Sequence, residues 1–165
     1  MTFSPALLAH AEKLLSDARA KGLKIVTAES CTGGLIAGLL TEIPGSSDVV
    51  ERGCVTYSNE SKHELLGVPD DLIARHGAVS AEVARAMALG ALKHAHAHIS
   101  VAVTGIAGPG GGTKDKPVGL VHFAAARGDH VIARECRFGD IGRTEVRLKS
   151  VWTALELLVD LVQLP

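Results

Sequence analysis

The sequence predicts an α/β fold: a mostly parallel sheet covered by helices on both faces, with an antiparallel strand near one edge. Three observations predict it. Short apolar runs alternate with amphipathic helical patterns along most of the chain. Only one pair of strand-like runs, late in the sequence, is close enough to form a hairpin. At 165 residues the chain suits one domain, 1–165, with a sizeable core, and neither a repeat nor a linker interrupts it.

The elements follow in order. Ser4 caps a helix that has Pro5 at its first position, an apolar face of Leu7, Leu8, Ala11, Leu14, Leu15 and Ala18, and Gly22 as its stop. "LKIVTA" reads as a buried strand. Residues 32–42 read as a helix ended before Pro44, because the residue ahead of a proline is pushed out of the helical region. "GCVTYS" is a second strand, followed by a short helix from about Asn59 to Leu66 and a helical turn in "PDDLIARHG". Ser80 caps an amphipathic helix, "SAEVARAMALGALKHA", with Glu82 in its first turn. "ISVAVT" is a third strand, and it runs into "GIAGPGGGTKDKP", too rich in glycine and proline for a helix or strand interior. "VGLVHFAAA" and "HVIARECRF" flank Arg127–Gly128–Asp129 as a hairpin. Leu148, Val151, Trp152, Leu155, Leu158, Val159 and Val162 mark a long closing helix.

Composition narrows the function. The 17 basic residues balance 18 acidic ones, which argues against a nucleic-acid surface. No apolar run is long enough to span a membrane, and the N-terminus lacks the pattern of a signal peptide. Three dispersed cysteines (Cys31, Cys54, Cys136) fit neither a zinc site nor a disulfide framework, so a reducing cytoplasm is expected. His94, His96 and His98 end a helix, where positive charge suits the dipole, and His63, His76 and His122 show no ligand spacing. No metal and no cofactor is expected.

Ligands of open α/β sheets bind beyond the carboxyl ends of the strands. Three such ends carry polar or glycine-rich sequence: "ESCTGG", "YSNESK" and "TGIAGPGGGT". Glycines let backbone amides approach a ligand, and helix N-termini attract anions, so a phosphate-bearing small molecule suits this edge. Gly33 and Gly34 equally suit close strand–helix packing, and neither segment matches a Walker loop or a dinucleotide fingerprint. Ser30, at a strand-to-helix turn beside free amides, reads as a nucleophile or as an N-cap. Cys31 competes with it, since a thiol at a helix N-terminus can be activated, although cysteine is also a common core residue. Lys62 can serve as base if desolvated. It falls in the first turn of its helix, where the dipole disfavours a cation and favours the neutral amine. A solvated lysine between Glu60 and Glu64 is the alternative. Tyr57 either relays the proton or covers the sheet edge.

Four segments, "TAESCTGGLIAGLLTEIPGSS", "GCVTYSNESKHELLGV", "GAVSAEVARAMALGAL" and "VAVTGIAGPGGGTKDKPVG", resemble the CinA C-terminal family of nicotinamide mononucleotide deamidases. The similarity runs in order from about residue 5 to 160. It implies a three-layer α/β/α sandwich with a mixed sheet, and hydrolysis of nicotinamide mononucleotide to nicotinate mononucleotide and ammonia. It assigns Ser30 as nucleophile with Tyr57 and Lys62. The ligand shell it implies comprises Glu29, Cys31, Thr32, Gly33, Gly34, Asn59, Thr104, Gly105, Ala107 and Gly108. Arg143 matches the family's arginine after a Gly-Asp pair, here with two residues interposed, and is assigned to the phosphate. The N-terminal pyrophosphatase domain of longer members is absent from this sequence. A small-molecule substrate and a homo-oligomer, foremost a dimer, are the expected partners. A silent nucleotide-binding module and an amidase for another small amide are the alternatives.

Overall fold

The computed structural model describes residues 3–165; residues 1 and 2, counted in the expected domain, lie outside the described residues. Five strands form one sheet in the order β2-β1-β3-β4-β5. They are β1 (Ile25–Glu29), β2 (Val50–Val55), β3 (Ile99–Gly105), β4 (Leu120–Arg127) and β5 (His130–Arg137). β1 pairs in parallel with β2 and β3, while β4 runs antiparallel to both β3 and β5. One strand is thus reversed, as the single late hairpin predicts. Arg127 pairs with His130, leaving Gly128 and Asp129 as its turn.

Among the described residues, six α-helices cover the two faces: α1 (Pro5–Ala20), α2 (Leu35–Glu42), α3 (Asn59–Leu66), α4 (Asp70–His76), α5 (Ala81–His94) and α6 (Arg143–Val162). The apolar sides of α1, α2 and α6 meet Ile25, Val101 and Val103 in one core. Those of α3, α4 and α5 meet Val26, Ala28 and Ala102 in another. The strict alternation along β1 and β3 decides which side chain enters which layer. Ser4, Ser58 and Ser80 cap α1, α3 and α5 with their hydroxyls, accepting from Leu7, Ser61 and Val83. None of the helices is long and apolar enough to cross a membrane, among the described residues.

Several boundaries move. α2 starts at Leu35 rather than residue 32, because Gly33 (φ 57°) and Gly34 (φ 98°) hold the chain in the left-handed region before it. β2 lies at Val50–Val55, three residues earlier than its sequence pattern, and a short 3₁₀ turn at Ser46–Asp48 precedes it. α6 begins at Arg143, a full turn before the apolar periodicity starts. Trp152 is 39% exposed rather than packed in the core.

Two devices position the region around Ser30. Glu29 is fully buried, yet its carboxylate accepts from the Ile36 amide at 2.9 Å and the Ala37 amide at 3.0 Å, so it seats the first turn of α2. Glu29→Ala leaves two amides without acceptors and should cost about 2–3 kcal/mol, read as a lower midpoint in urea unfolding; Glu29→Gln, which keeps one acceptor, should lose less. The second device is Gly90 on α5. A Cβ there would lie 1.9 Å from the carbonyl oxygen of Leu66, so only glycine lets the end of α3 rest on α5.

Candidate active site

The carboxyl ends of β1, β2 and β3 open at one edge, since these strands are parallel. Ser30 continues β1 by one residue and still pairs with β3, its amide donating to the Val103 carbonyl at 2.9 Å. Alternation therefore turns Ser30 to the α3–α5 side, with Val26 and Ala28, while Cys31 enters the opposite core. Continuing the registers Glu29↔Val55 and Glu29↔Val103 sets Thr56, Ser30 and Thr104 side by side, a row of three hydroxyl residues along the sheet's mouth.

Ser30 is not an N-cap. Its hydroxyl lies 3.0 Å from Nζ of Lys62, and the cap position of α2 belongs to Gly34. Lys62 is the fourth residue of α3. Helical side chains lean toward the N-terminus, which sends this one back under the Thr56–Tyr57 segment. Nζ donates to the Thr56 carbonyl at 2.7 Å and to the Tyr57 carbonyl at 3.4 Å. The residue is 1% exposed, so the solvated-lysine reading fails.

Burial lowers the Lys62 pKa below that of a free lysine, and the neighbouring Cys31 opposes that shift. A neutral amine has two N–H groups and one lone pair. Two carbonyls and a hydroxyl are the partners such an amine needs. Burial pushes the Cys31 thiol up to about 12, which keeps it protonated at neutral pH.

The amides of Cys31 and Thr32 donate to no other residue among those described, whereas the Gly33 amide is taken by the Ser30 carbonyl. Two unpaired backbone donors therefore follow Ser30 directly. The Thr32 and Thr56 hydroxyls are also buried without partners.

Other sequence-assigned residues are placed differently. Tyr57 is 61% exposed, and it reaches Lys62 through its carbonyl, while its hydroxyl accepts from Nη2 of Arg143 at 3.1 Å. Arg143 also donates to the Gly108 carbonyl at 2.8 Å and so links the glycine loop to Tyr57 at the rim. Thr104 directs its hydroxyl to the Ala78 carbonyl at 2.9 Å. Gly105 is required by β4, since a Cβ would meet Val121 at 2.7 Å. Ala107 packs in the core, and the Gly108 carbonyl is held by Arg143. Glu29 has both carboxylate oxygens engaged by the amides of α2, which supports the turn. Asn59 opens α3 beside Glu60, Asp70 and Ile73, in a groove that holds neither Ser30 nor Lys62.

Two residues escaped the sequence reading. Thr56 sits unremarked inside "YSNESK"'s approach, and only the strand register reveals it beside Ser30. Arg147, on α6, donates to the Cys31 and Thr32 carbonyls, a contact that no local spacing signals.

Residues 8–162 match the CinA C-terminal domain family. The chain is 48% identical over 154 residues to the nicotinamide-nucleotide amidohydrolase PncC of Escherichia coli K12, covering 92% of each. It is 52% identical to a CinA-like protein of Mycobacterium marinum over 88% of this chain, which spans only 33% of that longer relative. The crystal structure of the competence/damage inducible protein CihA from Agrobacterium tumefaciens superposes with a TM-score of 0.97 at 53% identity, covering 99% of both chains. The order of motifs, the mixed sheet and these relatives agree, and the chain belongs to the CinA C-terminal domain family.

Proposed function

We propose that this protein hydrolyses the amide of nicotinamide mononucleotide, releasing ammonia and nicotinate mononucleotide. The observation that carries the reading is the buried contact of Ser30 Oγ with Lys62 Nζ at 3.0 Å, at the mouth of the sheet. The name of the Escherichia coli relative supports the substrate.

Neutral Lys62 takes the Ser30 proton as Oγ attacks the amide carbon. The resulting oxyanion meets the free amides beside the nucleophile. Lys62, now an ammonium, returns the proton to the departing nitrogen; the C–N bond breaks, ammonia leaves, and nicotinate is held as a serine ester. Water, deprotonated by the same amine, then cleaves that ester and frees Ser30. One water is consumed for each ammonia released. Arg143, on the exposed rim with Tyr57 and the Gly108 carbonyl, suits the substrate's phosphate. The Cys31, Cys54 and Cys136 thiols are unpaired, which fits action in the cytoplasm.

The test compares ammonia release from nicotinamide, its riboside, its mononucleotide and NAD. The mononucleotide should be preferred over the riboside by about 10- to 100-fold in kcat/KM, the value of a charge-assisted phosphate contact. Arg143→Ala should erase most of that preference through KM. Equal rates on riboside and mononucleotide would remove phosphate recognition from the proposal.

A further inference from the structure

The mechanism above leaves Arg147 unused, although its guanidinium is committed to the nucleophile turn. Nε donates to the Cys31 carbonyl at 3.1 Å and Nη2 to the Thr32 carbonyl at 3.3 Å. The fork fits the turn closely: a Cβ on Gly33 would lie 3.2 Å from Nη2. Arg147 comes from α6, which packs on the face of the sheet opposite to α3 and α5, so it reaches the turn from the side away from Lys62.

The Cys31–Thr32 peptide is trans, because the cis bond of the described chain is Gly108–Pro109. A trans peptide points its N–H opposite to its C=O. With the Cys31 carbonyl turned to Arg147, the Thr32 N–H is turned away from α6, toward the side on which Lys62 meets Ser30. That amide has no acceptor, and Thr32 is fully enclosed. An enclosed, unpaired amide is a standing cost of about 1–3 kcal/mol unless an oxygen arrives to meet it. A cation at the carbonyl end also polarises the peptide, making its N–H a better donor to a negative oxygen.

We infer that Arg147 is a positioning residue for the amide hydrolysis: by gripping the Cys31 and Thr32 carbonyls from behind, it holds Ser30 against Lys62 and presents the Thr32 amide to the oxyanion. The inference rests on the serine mechanism of the proposed function. It predicts a defect in the chemical step rather than in binding, because the guanidinium faces the turn and not the cleft.

Arg147→Met and Arg147→Lys test it, with folding checked by thermal melting. Arg147→Met should lower kcat for ammonia release about 30- to 100-fold, the scale of a misplaced reacting group, with KM nearly unchanged. Ethylguanidinium added in solution should restore part of the rate to Arg147→Met and none to Ser30→Ala. Arg147→Lys, which keeps the charge but not the fork, should fall between. The pH profile should keep its wild-type shape, since Lys62 is untouched. A fluorophosphonate probe supplies a readout independent of nicotinamide: its phosphoryl oxygen takes the oxyanion's place, so Ser30 should be labelled more slowly in Arg147→Met by a similar factor. Slowed labelling without ammonia release from the wild type would overturn the substrate and leave this role standing. Unchanged kcat in folded Arg147→Met, a change in KM alone, or equal or absent labelling in both proteins would overturn the role.

Discussion

Ser30→Ala should abolish ammonia release, lowering kcat by about 10³-fold or more, with little change in stability. Ser30 is 8% exposed and, among the described residues, its hydroxyl meets the Lys62 side chain, so its removal leaves no cavity of consequence. Substrate affinity should persist, because the rim residues and the glycine loop are intact. Cys31→Ala should retain most of the activity, with a modest loss of stability from the core that the thiol helps to fill. The two variants together separate a hydroxyl mechanism from a thiol one: a dead Cys31→Ala with an active Ser30→Ala would reverse the assignment. The burial that holds the thiol near 12 is the reason to expect the first pattern.

Lys62→Arg should be nearly inactive despite conserving the positive charge, since a guanidinium does not give up its proton at working pH. Lys62→Met should be equally inactive while still binding nucleotide. In the wild type, kcat/KM should rise with pH through the lowered pKa of Lys62 and then level off, because the neutral amine is the active form. The same shift fixes the sign of a stability effect. The folded pKa lies below the unfolded one, so between the two values the unfolded chain binds more protons and stability rises with pH. Below that window the folded state carries a buried ammonium and is penalised in full. Above it the penalty is gone. Urea unfolding of wild type and Lys62→Met across alkaline pH should therefore show the wild type gaining on the variant as pH increases. Parallel curves would mean that Lys62 titrates normally and is not the base.

Local signals made much of this legible in the chain. Serine caps at Ser4 and Ser80 mark where helices start, and the single short-looped pair of strands gives the one reversed strand. Ser30 and Lys62 were readable as candidates because each breaks a local expectation: a hydroxyl after a buried strand, and a cation in a first helical turn. What decided between the candidates and their bland alternatives was burial, which arises from packing of segments distant in sequence. The charged neighbours Glu60 and Glu64 made Lys62 look solvated, yet its stem passes under the turn that follows β2. Tyr57 lies beside Lys62, but its backbone rather than its ring meets the amine, a distinction that sequence does not encode. Arg147 stayed invisible because its partners are carbonyls, which carry no residue type at all.

The contact between Leu66 and Gly90 bears on how the proposed Ser30–Lys62 pair can vary. Ser30 is carried by the sheet, but Lys62 is carried by α3, an eight-residue helix whose seating depends on one missing side chain across the α5 interface. Even a methyl group at position 90 would act as a shim, lifting the end of α3 and drawing the amine off the hydroxyl without touching either residue. The tolerance of the candidate site to substitution is therefore set partly from its back wall. Any effort to redesign α5, to stabilise it with alanine in place of glycine for instance, trades helix propensity directly against the alignment of Lys62 with Ser30.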